Sequence, residues 1–466
     1  MKTGNKNSYN NMKSAIIYCM ALCIVGGILA MAPSGNSENI HHVRDIKNKK
    51  LPSQPNIIVI MADDFGYELP AYTGGESYNT PNLDFMAANG IQFTNAYSHP
   101  DGYPSRLAFQ TGKYNVRNYT IWGTLPAGEK TIGNMLHDAG YTTCFVGKWN
   151  MDGGDATIHS AGYDNYLVFM PFAGNDNDAE FRHQYIDPHL YENGDFLPEG
   201  QITGKYSENM YFDYLSAFID KNPNRPFFAF YAANLPRNPF TPSPDDPLYP
   251  GFDPDTAVVN DPKYFPGMVE YLDKTVGKIL AKLEANGLAE NTVIIFCADN
   301  ATTKLIRSEF NGRTVNGGKN LTTRAGTRTP LEVYWPGTIT PGLISNTLID
   351  YTDMLPTLAD IAGIPTPSGY GPLDGTSFYD NLLTMPGPDR SWVYCYWDNS
   401  PDDTKNPIRF VTDATYKLYK DTFGIKRFYR LQDDITEQNP VPDNELTPGE
   451  TSIKQTFESI IDQYGN

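Results

Sequence analysis

Histidine runs out early in this chain: seven residues among 466, all at or before His189. Nothing between residues 190 and 466 can act as an imidazole proton shuttle, the usual device near neutral pH. Cysteine is scarce as well. Cys19 and Cys23 fall in an N-terminal apolar run, which leaves Cys144, Cys297 and Cys395. An odd, widely spaced set provides neither a disulfide framework nor zinc-ligand spacing. Cys144 and Cys297 lie inside apolar runs and read as buried small hydrophobes. Positive charge is also short, with 36 Lys and Arg against 54 Asp and Glu, a net charge of −18. The first fifty residues carry +5 of their own, so the remainder carries −23. That balance excludes a nucleic-acid-binding surface, and it makes any anionic ligand depend on local positive charge. No internal repeat or low-complexity tract is present.

The N-terminal apolar run extends from Ala15 to Ala30, follows Lys13, and ends at Met31-Ala32-Pro33-Ser34-Gly35. A basic start, an apolar core and small residues afterwards read as an export signal. A retained membrane anchor is the competing reading, because the run nearly reaches the roughly 18 residues that span a bilayer. Residues 1–32 are therefore assigned to a signal or anchor. Residues 33–54, with His41-His42 and Lys47-Asn48-Lys49-Lys50, are assigned to a polar tether. The protein is expected outside the cytoplasm, periplasmic or extracellular, with membrane contact only through an uncleaved N-terminal segment.

The body has ample core material, with 13% aromatic residues, and its length suggests one large and one smaller domain. Asn56 to Ala62 (NIIVIMA) and Val293 to Ala298 (VIIFCA) are apolar runs without alternation, as expected of strands buried on both faces. Phe227 to Ala232 is a third such run, and Thr142 to Val146 reads as a strand following a helix over Thr131 to Ala139. Pro266 to Asn286 has apolar residues at helical spacing and stops at Gly287. Alternating buried strands and helices predict an α/β fold with a large, mainly parallel central sheet flanked by helices. Beyond about residue 365, Trp392 to Trp397, Ile408 to Lys420 and Lys426 to Leu431 read as separate strands of a smaller antiparallel sheet. The expected division is 55–365 for the large domain and 366–466 for the small α+β one.

Asp63-Asp64 ends the first buried strand and Asp299-Asn300 ends the last. Open α/β sheets bind ligands at that edge. Three carboxylates and an amide oxygen make an all-oxygen set suited to a hard cation, Ca²⁺ or Mg²⁺, and not to zinc. A single Asp pair would be read as a cap or turn; two at strand ends favour metal. A further stretch, SHPDGYPSRLAFQTGKY from Ser98 to Tyr114, has Pro104, a short apolar helix over Ser105 to Thr111, and Gly112 as its stop. A helix start presents free N–H groups suited to an anion, and Arg106 adds a permanent cation.

That segment resembles the Cys/Ser-x-Pro-x-Arg signature of the sulfatase family, whose first residue becomes formylglycine, the covalent nucleophile. Gly102, Pro104 and Arg106 occupy the three positions, so the nucleophile position holds glycine, which has no side-chain carbon to oxidise. Other stretches similar to the family follow in order: PNIIVIMADDFGY, TPNLDFMAANGIQFTNAY, TIGNMLHDAGYTTCFVGKW, YLDKTVGKILAKLEANGLAENTVIIFCADN, GGKN, TPLEVYWPG and YTDMLPTLADIAG. The resemblance spans roughly residues 55–440 and implies an alkaline-phosphatase-like sandwich. It implies a calcium ion held by Asp63, Asp64, Asp299 and Asn300, with Lys148 and Lys319 gripping a sulfate beside Arg106. Where the family has Lys-Trp-His, this chain has Lys148-Trp149-Asn150; the family's Pro-His becomes Pro236-Arg237. The stretch before Pro330, Arg324-Ala325-Gly326-Thr327-Arg328, lacks the acidic residue or histidine that many relatives place there. Asp101 is expected to cap the helix, with a fifth metal ligand and a carboxylate nucleophile as lower-ranked roles.

These residues predict a sulfatase-like protein that binds a divalent cation and a sulfated small molecule or glycan without formylglycine-dependent hydrolysis. Asn150, Arg237 and Arg328 are assigned to ligand binding. Two alternatives stand beside it. One is a working sulfate- or phosphate-ester hydrolase that uses metal-activated water or Asp101. The other is a non-catalytic structural partner of an active sulfatase.

Overall fold

The computed structural model describes residues 54–119, 121–172, 181–365, 369–398 and 407–464. The signal or anchor assigned to 1–32, and all but the last residue of the tether assigned to 33–54, lie outside these. Among the described residues no helix is long and apolar enough to cross a membrane.

The strands are β1 (Asn56–Ala62), β2 (Ile91–Tyr97), β3 (Thr142–Lys148), β4 (Asn165–Phe169), β5 (Tyr191–Glu192), β6 (Asp195–Phe196), β7 (Phe227–Ala232) and β8 (Thr292–Ala298), then β9 (Arg307–Phe310), β10 (Arg313–Asn316), β11 (Leu331–Tyr334) and β12 (Leu343–Asp350). Ten of them form one sheet in the order β12-β2-β11-β8-β1-β7-β3-β4-β5-β6, while β9 and β10 pair separately as a ribbon. The five central strands, β8-β1-β7-β3-β4, are all parallel. Antiparallel β11 interrupts the sheet between β8 and β2.

β1 explains the layering. Ile57, Val59 and Met61 point into one core together with Leu107, Leu136 and Leu358. The helices that cover the sheet include α1 (Pro81–Asn89), α2 (Gly102–Thr111), α3 (Ile132–Asp138), α4 (Ser207–Lys221), α5 (Phe265–Ala285) and α6 (Met354–Ile361). The first core is thus roofed by α2, α3 and α6. Ile58, Ile60 and Ala62 point the other way, against Leu83 of α1, Leu215 of α4 and Leu272 of α5. A strand whose alternate residues enter two apolar cores must be apolar throughout, which is why NIIVIMA carries no alternation.

The small antiparallel sheet contains β13 (Val393–Trp397), β14 (Ile408–Thr412), β15 (Tyr416–Lys420) and β16 (Lys426–Arg430). It is covered by α7 (Pro448–Gln463), whose Phe457, Ile460 and Ile461 pack on Tyr394, Val411, Leu418 and Phe428. The stretch expected as one strand over Ile408 to Lys420 is two. Asp413 turns the chain by accepting from the N–H groups of Thr415 and Tyr416, a side-chain-made turn that an apolar-run reading passes over. Cys144, Cys297 and Cys395 are free and buried.

Candidate anion and metal site

Strand register brings the two acidic pairs together. Ala62 of β1 lies opposite Ala298 of β8, so Asp63-Asp64 and Asp299-Asn300 leave the sheet side by side. The Asp63 N–H donates to the Leu235 carbonyl at 3.0 Å, tying the β1 end to the loop after β7. One carboxylate oxygen from each of Asp63, Asp64 and Asp299 lies within 4.8 Å of the others. This is the only such group of three among the described residues, and all three side chains are buried.

Lys148, the last residue of β3, reaches across the width of β7. Gly147 makes that approach possible: its φ is 97°, and a Cβ there would overlap the Ala232 carbonyl of β7. The Lys148 Nζ donates to Asp63 Oδ2 at 2.5 Å. Arg106, on α2, donates to Asp299 Oδ2 from Nε at 3.1 Å and from Nη2 at 2.8 Å. Lys319 donates to Asp64 Oδ1 at 2.6 Å. Its side chain is 19% exposed, against 6% for Lys148 and 3% for Arg106, so Lys319 is the cation nearest the solvent.

Three fixed cations therefore face three carboxylates, and the titration of Asp63, Asp299, Lys148 and Lys319 reflects this. Burial alone would raise Asp63, but Lys148, Arg237, Arg106 and Lys319 outweigh it and hold Asp63 well below the usual carboxylate range. Burial, with the charge of Asp63 beside it, pushes Asp299 up to about 6 despite Arg106. Lys148 is lowered by burial and by Arg237. Lys319 is raised, since Asp64, Asp101 and Asp63 overcome its own burial. Arg237 thus exerts its charge on this cluster; its Nη1 donates to Gln184 Oε1 at 2.8 Å.

The donor atoms fit a hard divalent cation. Asp63 Oδ1, Asp64 Oδ2 and Asn300 Oδ1 are buried without a hydrogen-bond partner, and buried oxygens left so are costly unless a cation faces them. The Asn300 amide is oriented for this role, because its Nδ2 is engaged by Asp64 Oδ1 and the Ala301 carbonyl.

Helix α2 begins at Gly102, three residues before the expected Ser105. Asp101 adopts extended φ and ψ, and its Oδ1 accepts the Gly102 N–H at 2.6 Å. This cap lets the helix start ahead of Pro104, which needs no N–H partner inside the first turn. A Cβ built on Gly102 would overlap Asp299 Oδ2, stand 3.0 Å from Asp299 Cγ, and lie 3.2 Å from Asn300 Oδ1. The side-chain direction at position 102 thus points straight at the acidic cluster.

This chain belongs to the sulfatase family. The family profile for sulfatases matches residues 55–364, and a profile for the C-terminal region of N-sulphoglucosamine sulphohydrolase matches residues 318–463. The chain is 32% identical over 376 residues to an arylsulfatase of Hemicentrotus pulcherrimus, covering 74% of this chain and 65%, just under two thirds, of that protein. It is 30% identical to the N-acetylgalactosamine-6-sulfatase of Homo sapiens, covering 74% of this chain and 68% of the relative. Among solved structures it is similar to Ps i-CgsB in complex with k-i-k-neocarrahexaose, with 25% identity, a TM-score of 0.71, and coverage of 88% and 92% of the two chains. The fold is the alkaline-phosphatase-like α/β sandwich of these sulfatases.

The remaining sequence-derived site residues of this sulfatase-family chain are placed as follows. Asn150 is buried two residues past β3, with a left-handed φ of 56°. Arg328 lies 3.6 Å over the Tyr67 ring, and its Nε donates to the Thr94 carbonyl at 2.7 Å. Those contacts direct its charge toward Tyr67, beside the strand end, and not onto the acidic cluster. His99 is buried and driven down to about 3 by that burial, so it stays neutral.

Sequence reasoning missed two groups. Gln184 is fully buried against Arg237. Glu208, at the start of α4, accepts from the Tyr231 hydroxyl and from the Asn234 N–H, and so fixes the start of the loop that carries Arg237. Neither stands in a recognisable motif; only the fold brings them to the β7 end.

Proposed function

We propose that this sulfatase-family protein binds a divalent cation and a sulfated ligand, a glycan, and does not hydrolyse it by the formylglycine route. The observation that carries this reading is Gly102, together with the Asp299 carboxylate lying where a side chain at position 102 would extend. Glycine supplies no atom to oxidise and none to attack with. Asn150 and Arg237 occupy positions where proton-transferring groups are wanted, and an arginine holds an anion but trades no proton at neutral pH.

Asp63, Asp64, Asp299 and Asn300 would hold the cation, which we assign as Ca²⁺, with Mg²⁺ as the alternative hard ion. When bound, such an ion polarises an oxyanion as a Lewis acid. Loading the acidic cluster with an ion of charge +2 would release Lys148, Lys319 and Arg106 from their carboxylates. Those three cations, with Arg237, would then face a sulfate group and supply charge-assisted hydrogen bonds. Such a pocket holds the ground state, whereas turnover requires contacts that strengthen only in the transition state. Relatives named for galactosamine sulfate and a related structure holding a carrageenan oligosaccharide favour a sulfated glycan as ligand.

Calorimetry with a panel of sulfated oligosaccharides and aryl sulfates, in calcium, tests the binding half. Affinity should weaken with salt and fall in Lys148→Ala and Lys319→Ala, while product release stays at background. No binding across the panel rejects the reading, and hydrolysis abolished by Asp101→Asn would establish the carboxylate-nucleophile alternative.

A further inference from the structure

Lys319 is held from a direction the acidic cluster does not explain. It sits on a strap, residues 317–328, that brings its ammonium to Asp64. Its own N–H donates to the Thr302 carbonyl at 2.9 Å, and the next N–H, of Asn320, donates to the Pro100 carbonyl at 2.8 Å. At the far end the Ser98 N–H donates to the Thr327 carbonyl at 2.7 Å. The strap thus spans the loop after β8 and the loop before α2. It also closes on itself: Gly318 lies so tightly against the Ala325 carbonyl, and Gly326 against the Leu321 carbonyl, that neither tolerates a Cβ.

The small sheet grips this strap with a buried ion pair. Lys417, on β15, donates its Nζ to Glu437 Oε2 at 2.7 Å and also to the Thr322 carbonyl of the strap. Glu437 in turn accepts the Arg324 N–H on Oε1 at 2.7 Å. The two side chains are 1% and 4% exposed. A buried ion pair adds little net stability over apolar residues of the same size, because both charges must leave water. What this pair adds is geometry: two of its hydrogen bonds end on strap backbone, at Thr322 and Arg324, three and five residues beyond Lys319.

We propose that Lys417 and Glu437 are positioning residues for Lys319, through which the small sheet sets the strap, and with it the outermost cation, against the anion site. The proposal rests on the reading of that site as an anion pocket. Because the strap is closed on itself at Gly318 and Ala325, a shift of its Thr322–Arg324 end moves the Lys319 backbone as well. The Lys319 ammonium would then lose its aim while the acidic cluster and Lys148, held by β1, β3 and β8, stay in place.

The test uses Lys417→Met, of similar length and without charge, with Glu437→Gln as a second, milder variant should the first not fold. Hydrogen exchange should accelerate about tenfold in peptides spanning 317–328 and stay unchanged in those of β1 and β8, as expected of a local opening. In calorimetry with inorganic sulfate and calcium, affinity should fall roughly tenfold, the lower end of what a hydrogen bond to a charged group contributes. In a Lys319→Ala background the same substitution should cost nothing further, whereas a general weakening of the fold would still lower affinity. Unchanged exchange in the strap, or equal losses in both backgrounds, overturns the proposal. If the unaltered protein takes up no sulfate, the anion reading fails, and the exchange measurement alone decides whether the clamp acts on the strap.

Discussion

Replacing Gly102 tests how the acidic cluster is arranged. The residue has no left-handed φ, so any cost of a side chain there comes from contact and not from backbone strain. A Cβ would overlap Asp299 Oδ2 and sit 3.0 Å from Asp299 Cγ. Relief requires that carboxylate to withdraw by about 1 Å to reach ordinary contact. The oxygen that must move is the one receiving both Arg106 bonds, at 3.1 and 2.8 Å. Losing one charge-assisted hydrogen bond costs about 2 kcal/mol, roughly a 2 °C fall in melting temperature for a body of this size. Gly102→Ala and Gly102→Ser should therefore both be destabilised by that amount in chelator, measured by denaturant unfolding. Calcium should then separate them, because a serine oxygen beside the cluster is one more hard ligand and alanine offers none. Both variants should gain stability as calcium is added, Gly102→Ser more than Gly102→Ala. The argument is refuted if alanine is neutral in chelator, or if the two variants respond alike to calcium.

Three further outcomes are expected. Calcium at a hundred times its dissociation constant should stabilise the fold by about 2.7 kcal/mol; Asp63→Asn should abolish the shift, and melting with and without chelator reads it. Gly102→Cys, expressed with a formylglycine-generating system, should give no appreciable aryl sulfatase activity, and robust turnover would show that Asn150 and Arg237 matter less than argued. Burial pushes the Glu208 carboxyl up to about 7, so the folded state holds its proton more tightly than the unfolded chain. Its contribution is complete below the unfolded value near 4.3 and is lost as pH rises through 7. Relative to Glu208→Gln, the unaltered protein should lose up to about 3 kcal/mol across that window, and a difference that stays flat from pH 4 to 8 would count against it.

How much was legible in advance depended on whether the signal was local. Apolar runs without alternation marked β1, β7 and β8, because strands buried on both faces cannot hide a polar residue. Acidic pairs closing two of those runs marked the cluster, since a parallel sheet delivers its strand ends to one edge. Glycine at position 102 was equally plain, as the loss of a side chain needs no structure to be seen. The start of α2 and the turn between β14 and β15 were not, for both depend on where one aspartate side chain, Asp101 or Asp413, finds an N–H.

Residue order alone was enough for the family, the two-faced central sheet, the acidic pairs at two strand ends and the glycine at position 102. These are properties of residue type and of order along the chain. The tertiary structure alone decided which cation meets which carboxylate, that Arg328 turns to Tyr67 while Arg237 bears on Asp63, and that Lys417 and Glu437 hold the strap of Lys319. Pairings such as Arg106 with Asp299 and Lys319 with Asp64, 193 and 255 residues apart, leave no periodic trace, because the register of β1 on β8 brings such partners together only once the chain is folded.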